Sequence, residues 1–448
     1  MQKSKKLLNL QPGEGGIVFV LGFALLANAL AMQVSGIVSI SGFLNSTGPN
    51  GILVVLLVDY AFILLTGALQ TLVIDKFERT KLIQWIALLF AFLFVLLRMM
   101  FVFNSPEWLN YSFMYILSEQ QFILFPLVFW VLANDIFKIA QAKRLFPIIS
   151  GFNFVGKLIG IGISLISPGL FPKIGIQPEE ILTLNVLVYL LAFMVLWGGL
   201  NKVKVRKTVV QTETLSETLR EGWKFLLDVP SFKYMMYTII ALAVADTLIE
   251  FRFLTVTDLA FTDQASYQRF FSAYRLGITI LSLIVQAFVT GYLIKKMQLK
   301  NTFVFFPIVA LLGTVGMIFI PGVGMAIAAM ASVKLIRDTV NESGRKSFQG
   351  LVPEERRGRV STLMESYLPA IGTMLASILG IIVIYVGGLL GFDNILVYIY
   401  MGIAALGAIV AFWAVLRMRN VYDSSLLNWR LKRRQRRAQT ALLDKLSD

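Results

Sequence analysis

The sequence predicts an all-α integral membrane protein with about twelve transmembrane helices in two six-helix halves. Three observations predict this class. The 448-residue chain is 57% hydrophobic and 15% charged, whereas a soluble domain carries about a quarter charged residues. Its apolar segments reach about twenty residues, the length that crosses a bilayer as a helix. Basic residues cluster in every second connection between these segments, as they do on the cytoplasmic side of membrane proteins.

The apolar segments, spans 1 to 12, lie approximately at 15–43, 51–75, 82–103, 109–136, 145–167, 181–200, 232–261, 267–294, 302–320, 324–343, 360–387 and 394–417. Span 1 is too long for the apolar region of a cleaved signal peptide, so we expect it to be retained. The connection between spans 6 and 7 is polar and contains an amphipathic stretch, Thr214–Leu227. The predicted domains are an N-terminal half at 1–200, a cytoplasmic linker at 201–231, a C-terminal half at 232–417 and a basic cytoplasmic tail at 418–448.

The basic residues predict the orientation of the chain in the membrane. They cluster near 3–6, 76–81, 138–144, 202–207, 295–300, 345–359 and 430–437, while the alternate connections hold one basic residue, Lys173. This alternation places both termini in the cytoplasm. The net charge of +15 lies in short loops next to the membrane, which argues against a nucleic-acid partner. For the tail, anchoring the topology is favoured over binding anionic lipid or a partner.

Cysteine and histidine are both absent from the sequence. Disulfides, thiol nucleophiles, Cys/His metal sites and a histidine proton relay are therefore excluded, and no metal or other cofactor is expected. Any proton coupling falls to aspartate or glutamate. No Walker A phosphate-binding sequence is present, which excludes an internal ATPase of that class. We expect no catalytic residues and no enzyme.

Ionisable side chains lie near the middle of particular spans, where each costs about 2.5–3.5 kcal/mol or more unless it has a partner, a cavity or a task. They occupy spans 4, 5, 7, 8, 10 and 11, at Glu119, Lys157, Asp246, Glu250, Arg252, Arg275, Lys334, Arg337, Asp338 and Glu365. Spans 1, 6, 9 and 12 have none. This distribution predicts a polar interior walled by charge-free helices, which is typical of a transporter.

Two short basic turns recur at equivalent places in the two halves. Thr66–Gly67 precedes Ile74–Lys81, and Thr290–Gly291 precedes Ile294–Lys300. Both turns resemble the Asp-Arg-x-Gly-Arg-type loop of the major facilitator superfamily, although Glu78 replaces the usual Gly and the second copy lacks the Asp. The resemblance implies that spans 1, 2, 4, 5, 7, 8, 10 and 11 surround a central cavity and that spans 3, 6, 9 and 12 face lipid.

The placement of polar residues agrees with that arrangement. Span 3 has only Arg98, close enough to its outer end to reach the interface. Span 1 carries no mid-membrane charge, but Asn28, Gln33 and Ser35 give it a polar face.

A narrower resemblance runs through spans 4–5, 7–8 and 10–11. The segments that carry it are Phe129–Phe137, Ala142–Pro147, Gly156–Gly160, Asp246–Phe253 and Phe348–Arg359. They are similar to the ATP/ADP antiporter family of plastids and obligate intracellular bacteria, and closer to its free-living bacterial relatives. The resemblance implies an organic-anion carrier in a bacterial inner (plasma) membrane. Its expected partners are membrane lipid and a small anion, with ATP, ADP or a phosphate ester as the leading candidate.

Four cations and four acids are the predicted substrate-binding residues: Lys157, Arg275, Lys334, Arg337, Glu119, Asp246, Glu250 and Glu365. The cations suit a phosphorylated substrate, because arginine forms forked hydrogen bonds and lysine supplies a point charge. The acids can hold these cations when substrate is absent, contact a ribose or amine, or take a proton. The alternative is a set of internal salt bridges that only fasten the structure, and the i,i+4 neighbours Lys334 and Asp338 fit it best.

A second set of residues is predicted to gate the cavity from the cytoplasmic side by exchanging ion pairs. These are Asp75, Glu78, Arg79, Asp135, Lys143 and Arg144. The spacing of Gly156 and Gly160 predicts close helix contact rather than a phosphate cradle. The leading function is secondary active exchange of a nucleotide or other phosphorylated metabolite. The alternatives are a carrier of a different solute with proton coupling, and a lipid-handling or regulatory membrane protein.

Overall fold

The structure is a computed structural model that describes residues 10–74, 77–175, 180–201, 203, 215–261, 263–352, 354–391 and 393–447. All regular secondary structure in these ranges is helical. Ten of the helices are long and apolar enough to cross a bilayer. Spans 7 and 10 lie outside this set, and they are the two that the sequence shows to be richest in mid-membrane charge; both are nevertheless helical. The predicted all-α membrane fold is confirmed.

The helices of the first six spans are consecutive and well separated. They are Glu14–Thr47, Ile52–Ile74, Arg79–Val102, Glu107–Ile136, Ile139–Leu170 and Ile181–Leu200. Span 1 ends at Gly48, whose φ of 76° favours glycine. The Gly48 N–H donates to the Leu44 carbonyl at 2.8 Å, which satisfies one of the last carbonyls of the helix.

The second six spans follow a linker helix, Leu215–Asp228, and several are interrupted. Their helices are Pro230–Asp258, Gln264–Ile284 with Gly291–Met297, Leu299–Thr302 with Phe305–Phe319, Val323–Ile336 with Glu342–Gln349, Glu354–Thr362 with Leu368–Leu389, and Asp393–Ser447. Within spans 8, 10 and 11 the pieces are joined by π-helical turns at Val285–Thr290, Arg337–Asn341 and Leu363–Tyr367.

The chain forms two compact units. Unit 1 comprises Met1–Thr212 and Thr257–Thr279, and unit 2 comprises Glu213–Val256 and Ile280–Asp448. The linker helix belongs to unit 2, and residues 257–279, from the end of span 7 and the first part of span 8, belong to unit 1. The domain boundaries drawn from the sequence remain a prediction.

Span 1 is the centre of unit 1 and packs against spans 4, 5 and 6. Asn28 accepts a hydrogen bond from the Tyr189 hydroxyl at 2.7 Å, and Gln121 donates to the same hydroxyl at 2.7 Å. Ser35 donates to the Gln121 Oε1 at 2.9 Å. Two of the three residues on the predicted polar face of span 1 therefore satisfy a buried network with spans 4 and 6. The third, Gln33, accepts a hydrogen bond from Arg275, a predicted substrate-binding residue.

Span 5 lies directly on the backbone of span 1 at two glycines. A Cβ atom at Gly156 would overlap the Leu26 carbonyl oxygen, and one at Gly160 would lie 2.6 Å from the Leu30 carbonyl oxygen. Because backbone carbonyls cannot move aside, only glycine allows this approach. The prediction that Gly156 and Gly160 serve helix contact is confirmed, and the contact fixes the position of Lys157 between them.

Replacing Gly160 by alanine should destabilise the protein by about 1–3 kcal/mol, the usual cost of overpacking a filled interface. The matched control is Gly162→Ala on the same helix, where an added Cβ meets nothing within 4 Å. That variant should be neutral or stabilising by up to about 1 kcal/mol, because alanine favours the helix. Thermal unfolding of the purified variants measures both, and equal stability of the two would contradict the packing account.

Unit 2 has its buried core at the end of the spans that adjoins the linker helix. The Phe232 and Phe348 rings are tilted by 45° with centroids 4.4 Å apart, and Phe225 and Leu226 of the linker helix are buried in the same cluster. Arg359 on span 11 forms an ion pair with Glu221. The amphipathic helix predicted in the linker thus packs onto unit 2, although Leu227, placed on its apolar side by the sequence, is half exposed.

Candidate functional site

The predicted substrate-binding residues divide between the two units. Glu119, Lys157 and Arg275 belong to unit 1, and the other five belong to unit 2. Lys157, Glu250 and Lys334 are all half-buried in the protein, whereas Glu365 is exposed. Each unit thus carries its own set of cations and acids on helices within the membrane region.

Arg337 is the centre of an ion-pair cluster in unit 2. Its guanidinium pairs with Asp246 on span 7, and its Nε donates to the Asp338 Oδ1 at 2.9 Å. Glu250, one turn along span 7 from Asp246, lies within electrostatic range of the same guanidinium. Three acids therefore share one arginine, and an anion reaches this cation only by competing with its carboxylate partners.

The Arg337 cluster lies where span 10 departs from α-helical geometry. Arg337 and Asp338 open the π-helical turn of span 10, and Glu365 lies in the turn of span 11. The turns of spans 8 and 10 pack against each other, and Gln286 in the turn of span 8 donates to the Ser343 hydroxyl at 3.0 Å. In these turns the backbone hydrogen bonds join residues five positions apart instead of four. Such π-helical turns are frequent at functional sites.

Arg275 has different surroundings in unit 1. Its Nη1 donates to the Gln33 Oε1 at 3.3 Å, and the guanidinium lies 5.0 Å from the centroid of the Phe271 ring. Gly36 lies beside this side chain, and a Cβ there would be in ordinary van der Waals contact with the Arg275 Nη1, at 3.5 Å. Its buried Nε donates to no acceptor, and no carboxylate pairs with it among the residues that the structure describes. The described neighbours of the Arg275 guanidinium are therefore a neutral amide and an aromatic ring.

An acidic residue that the sequence analysis missed lies in span 2. Asp59 is fully buried, and Glu119 on span 4 is close enough to repel a charge on it. The signal was available, since Asp59 is the single ionisable residue between Ile52 and Ile74.

A model of the TLC ATP/ADP transporter family matches residues 15–336, which is most of the chain. The chain belongs to this family. No curated protein matches it.

Solved structures of membrane transporters share the fold of this TLC transporter. An auto-inhibited peptide transporter of the POT family has a TM-score of 0.64 at 12% identity, covering 90% of this chain and 96% of its own. The nucleoside transporter NupG has a TM-score of 0.61 at 14% identity, covering 89% and 99%. A bacterial homologue of the iron transporter ferroportin, in an inward-facing state, has a TM-score of 0.61 at 14% identity, covering 91% and 100%. The predicted major facilitator fold and the family resemblance are both confirmed.

The residues predicted to gate this TLC transporter form ion pairs within unit 1. Arg79 pairs with Asp135, and Glu78 pairs with Lys81 at 2.8 Å. Arg144 pairs with Glu14 at 2.7 Å, a partner that the sequence analysis did not propose. Asp75 and the side chain of Lys143 lie outside the described residues. The pairs join the start of span 3 to the end of span 4, and the start of span 1 to span 5.

Proposed function

We propose that this transporter exchanges nucleotides or other phosphorylated metabolites across the membrane, with Arg275 as the principal anion-binding residue. The observation that carries the proposal is the guanidinium of Arg275, which lies within the membrane region with an amide and a ring as its neighbours. A cation placed in a low-dielectric region without a carboxylate is costly. A bound phosphate repays that cost through forked, charge-assisted hydrogen bonds.

The other predicted residues have separate roles in the two units in this proposal. Lys157, in the same unit as Arg275, supplies a point charge for the remaining phosphate oxygens, and Lys334 supplies a point charge in unit 2. Arg337 is held by Asp246 and Asp338 until substrate competes for it. Glu119, Glu250 and Glu365 hold cations or contact the ribose or base. The name of the family, ATP/ADP transporter, supports a nucleotide as the cargo.

Exchange follows from the way the cations are neutralised. A cavity that has released its anion contains exposed cations, and these must pair with internal acids before the protein reorients. A returning counter-anion performs the same neutralisation, so reorientation with cargo is faster than reorientation without it. Alternating access then transports one anion inward for each anion carried outward.

The chain is a multi-pass integral membrane carrier by fold and family. We place it in a bacterial inner (plasma) membrane, with both termini in the cytoplasm on the evidence of its basic loops. In this proposal it performs no catalysis and uses no cofactor. The pairs of Arg79 with Asp135 and of Arg144 with Glu14 act as cytoplasmic gate contacts that break and re-form during the cycle.

Uptake of labelled ATP into liposomes containing the purified protein tests the proposed exchange. Vesicles loaded with ADP should take up ATP much faster than empty vesicles, because the counter-anion speeds the return step. Equal uptake into loaded and empty vesicles would contradict exchange. Protein-free vesicles loaded with ADP give the background rate.

A further inference from the structure

Asp59 is buried as deeply as any residue of unit 1. Its side chain is fully excluded from solvent, and neither carboxylate oxygen accepts a hydrogen bond from the part of the chain that the structure describes. A buried carboxylate of this kind normally receives two or three hydrogen bonds or a paired cation.

The main packing partners of Asp59's helix carry acids rather than cations. Span 2 packs in unit 1 mainly against span 4 and the short turn Pro49–Gly51. The turn has no ionisable side chain, and the charged residues of span 4 are three acids, Glu107, Glu119 and Asp135. Of these, Glu119 acts on Asp59. Two acids on neighbouring helices therefore lie within electrostatic range of each other.

The amide of Gln120 completes these surroundings. Its Oε1 accepts a hydrogen bond from the Thr66 hydroxyl at 2.9 Å. Its Nε2, beside Asp59, donates to no acceptor among the described residues. The Gln120 amide is a neutral neighbour and supplies no positive charge to Asp59.

The cost of burying charge decides between the two forms of Asp59. An ionised carboxylate without partners costs several kcal/mol in a protein interior, and a second acid nearby adds to that cost. Adding one proton removes the charge and leaves an O–H that can donate to a neighbouring oxygen. We propose that Asp59, with Glu119 beside it, is a proton-binding site of this transporter.

Such a site couples proton movement to the transport cycle. Binding converts the Asp59 carboxylate and one proton from water into the neutral acid, and release reverses that step. Release becomes favourable when donors such as water and the Gln120 amide solvate the carboxylate. The inference goes beyond the proposed exchange, because proton binding is measurable without any nucleotide.

Infrared difference spectroscopy of the full-length protein in lipid vesicles, titrated from about pH 5 to about pH 9 without substrate, tests the proposal. The wild type should show a protonated-carboxyl band at neutral pH that disappears at alkaline pH. Asp59→Asn should lose that band, whereas Glu107→Gln, an exposed acid on span 4, should keep it. A folded Asp59→Asn protein that keeps the band would overturn the proposal.

A second variant keeps the test decisive if Asp59→Asn does not fold. Glu119→Gln removes the neighbouring negative charge, so the same band should titrate at a pH lower by about one unit or more. An unchanged titration midpoint of the band would contradict the proposed pair of Asp59 and Glu119. The titration is repeated in Na⁺ and in K⁺, and a band whose midpoint depends on Na⁺ would assign the site to a metal cation instead. Failure of nucleotide exchange would leave this readout unaffected.

Discussion

Replacing Arg337 by glutamine should lower the free energy of unfolding by about 3 kcal/mol. The substitution leaves the largely buried Asp246 beside Asp338 and Glu250 without its arginine partner. Breaking a buried pair by removing one partner costs about 3–5 kcal/mol, and the partial exposure of Arg337 favours the lower end. Thermal or chemical unfolding of the purified variant measures the loss.

Two further variants give this prediction its controls. Adding Asp246→Asn to Arg337→Gln should restore part of the stability, because it removes one of the orphaned charges. Lys346→Gln on the same span breaks an exposed i,i+4 pair with Glu342, and it should cost about 0.5 kcal/mol or less. If Arg337→Gln were no more harmful than Lys346→Gln, the cluster would not be the structural ion-pair centre described above.

Replacing Arg275 by glutamine should weaken nucleotide binding and leave stability nearly unchanged. It breaks no ion pair in the described part of the chain, so stability should change little. Binding of ATP or ADP should weaken by about 1.5–3 kcal/mol, the value of a hydrogen bond to a charged group, which corresponds to about ten- to 150-fold. Arg269→Gln, an exposed arginine on the same helix, is the matched control and should bind as the wild type does. Titration of each variant with nucleotide measures the difference.

The fold was predictable because the bilayer imposes simple rules on the sequence. Length and hydropathy locate the spans, and the cost of intramembrane charge confines Lys157, Arg275 and Arg337 to particular helices. A close helix contact at span 5 was also readable, since Gly156 and Gly160 lie one helical turn apart on one face, although the sequence did not indicate that span 1 is the partner. These features depend on local pattern, which a single sequence displays.

The details of the site depend on tertiary packing and could not be read in the same way. The π-helical turns of spans 8, 10 and 11 have no compositional signature, yet they set the direction of Arg337 and Glu365. The pair of Arg337 with Asp246 joins residues 91 positions apart. Nothing in the sequence indicated that Asn28 and Ser35 would bind Gln121 and Tyr189 rather than line a polar cavity.

Ligand-dependent thermal unfolding of the wild type and of Arg275→Gln tests the central claim most directly. ATP and ADP should raise the unfolding temperature of the wild type in a concentration-dependent manner, since a ligand that binds the folded state stabilises it. Adenosine, which shares the base and ribose but has no phosphate, should have little effect, and Arg275→Gln should lose most of the response to ATP and ADP. Stabilisation by adenosine equal to that by ATP, or an undiminished response in Arg275→Gln, would contradict a phosphorylated cargo held by Arg275.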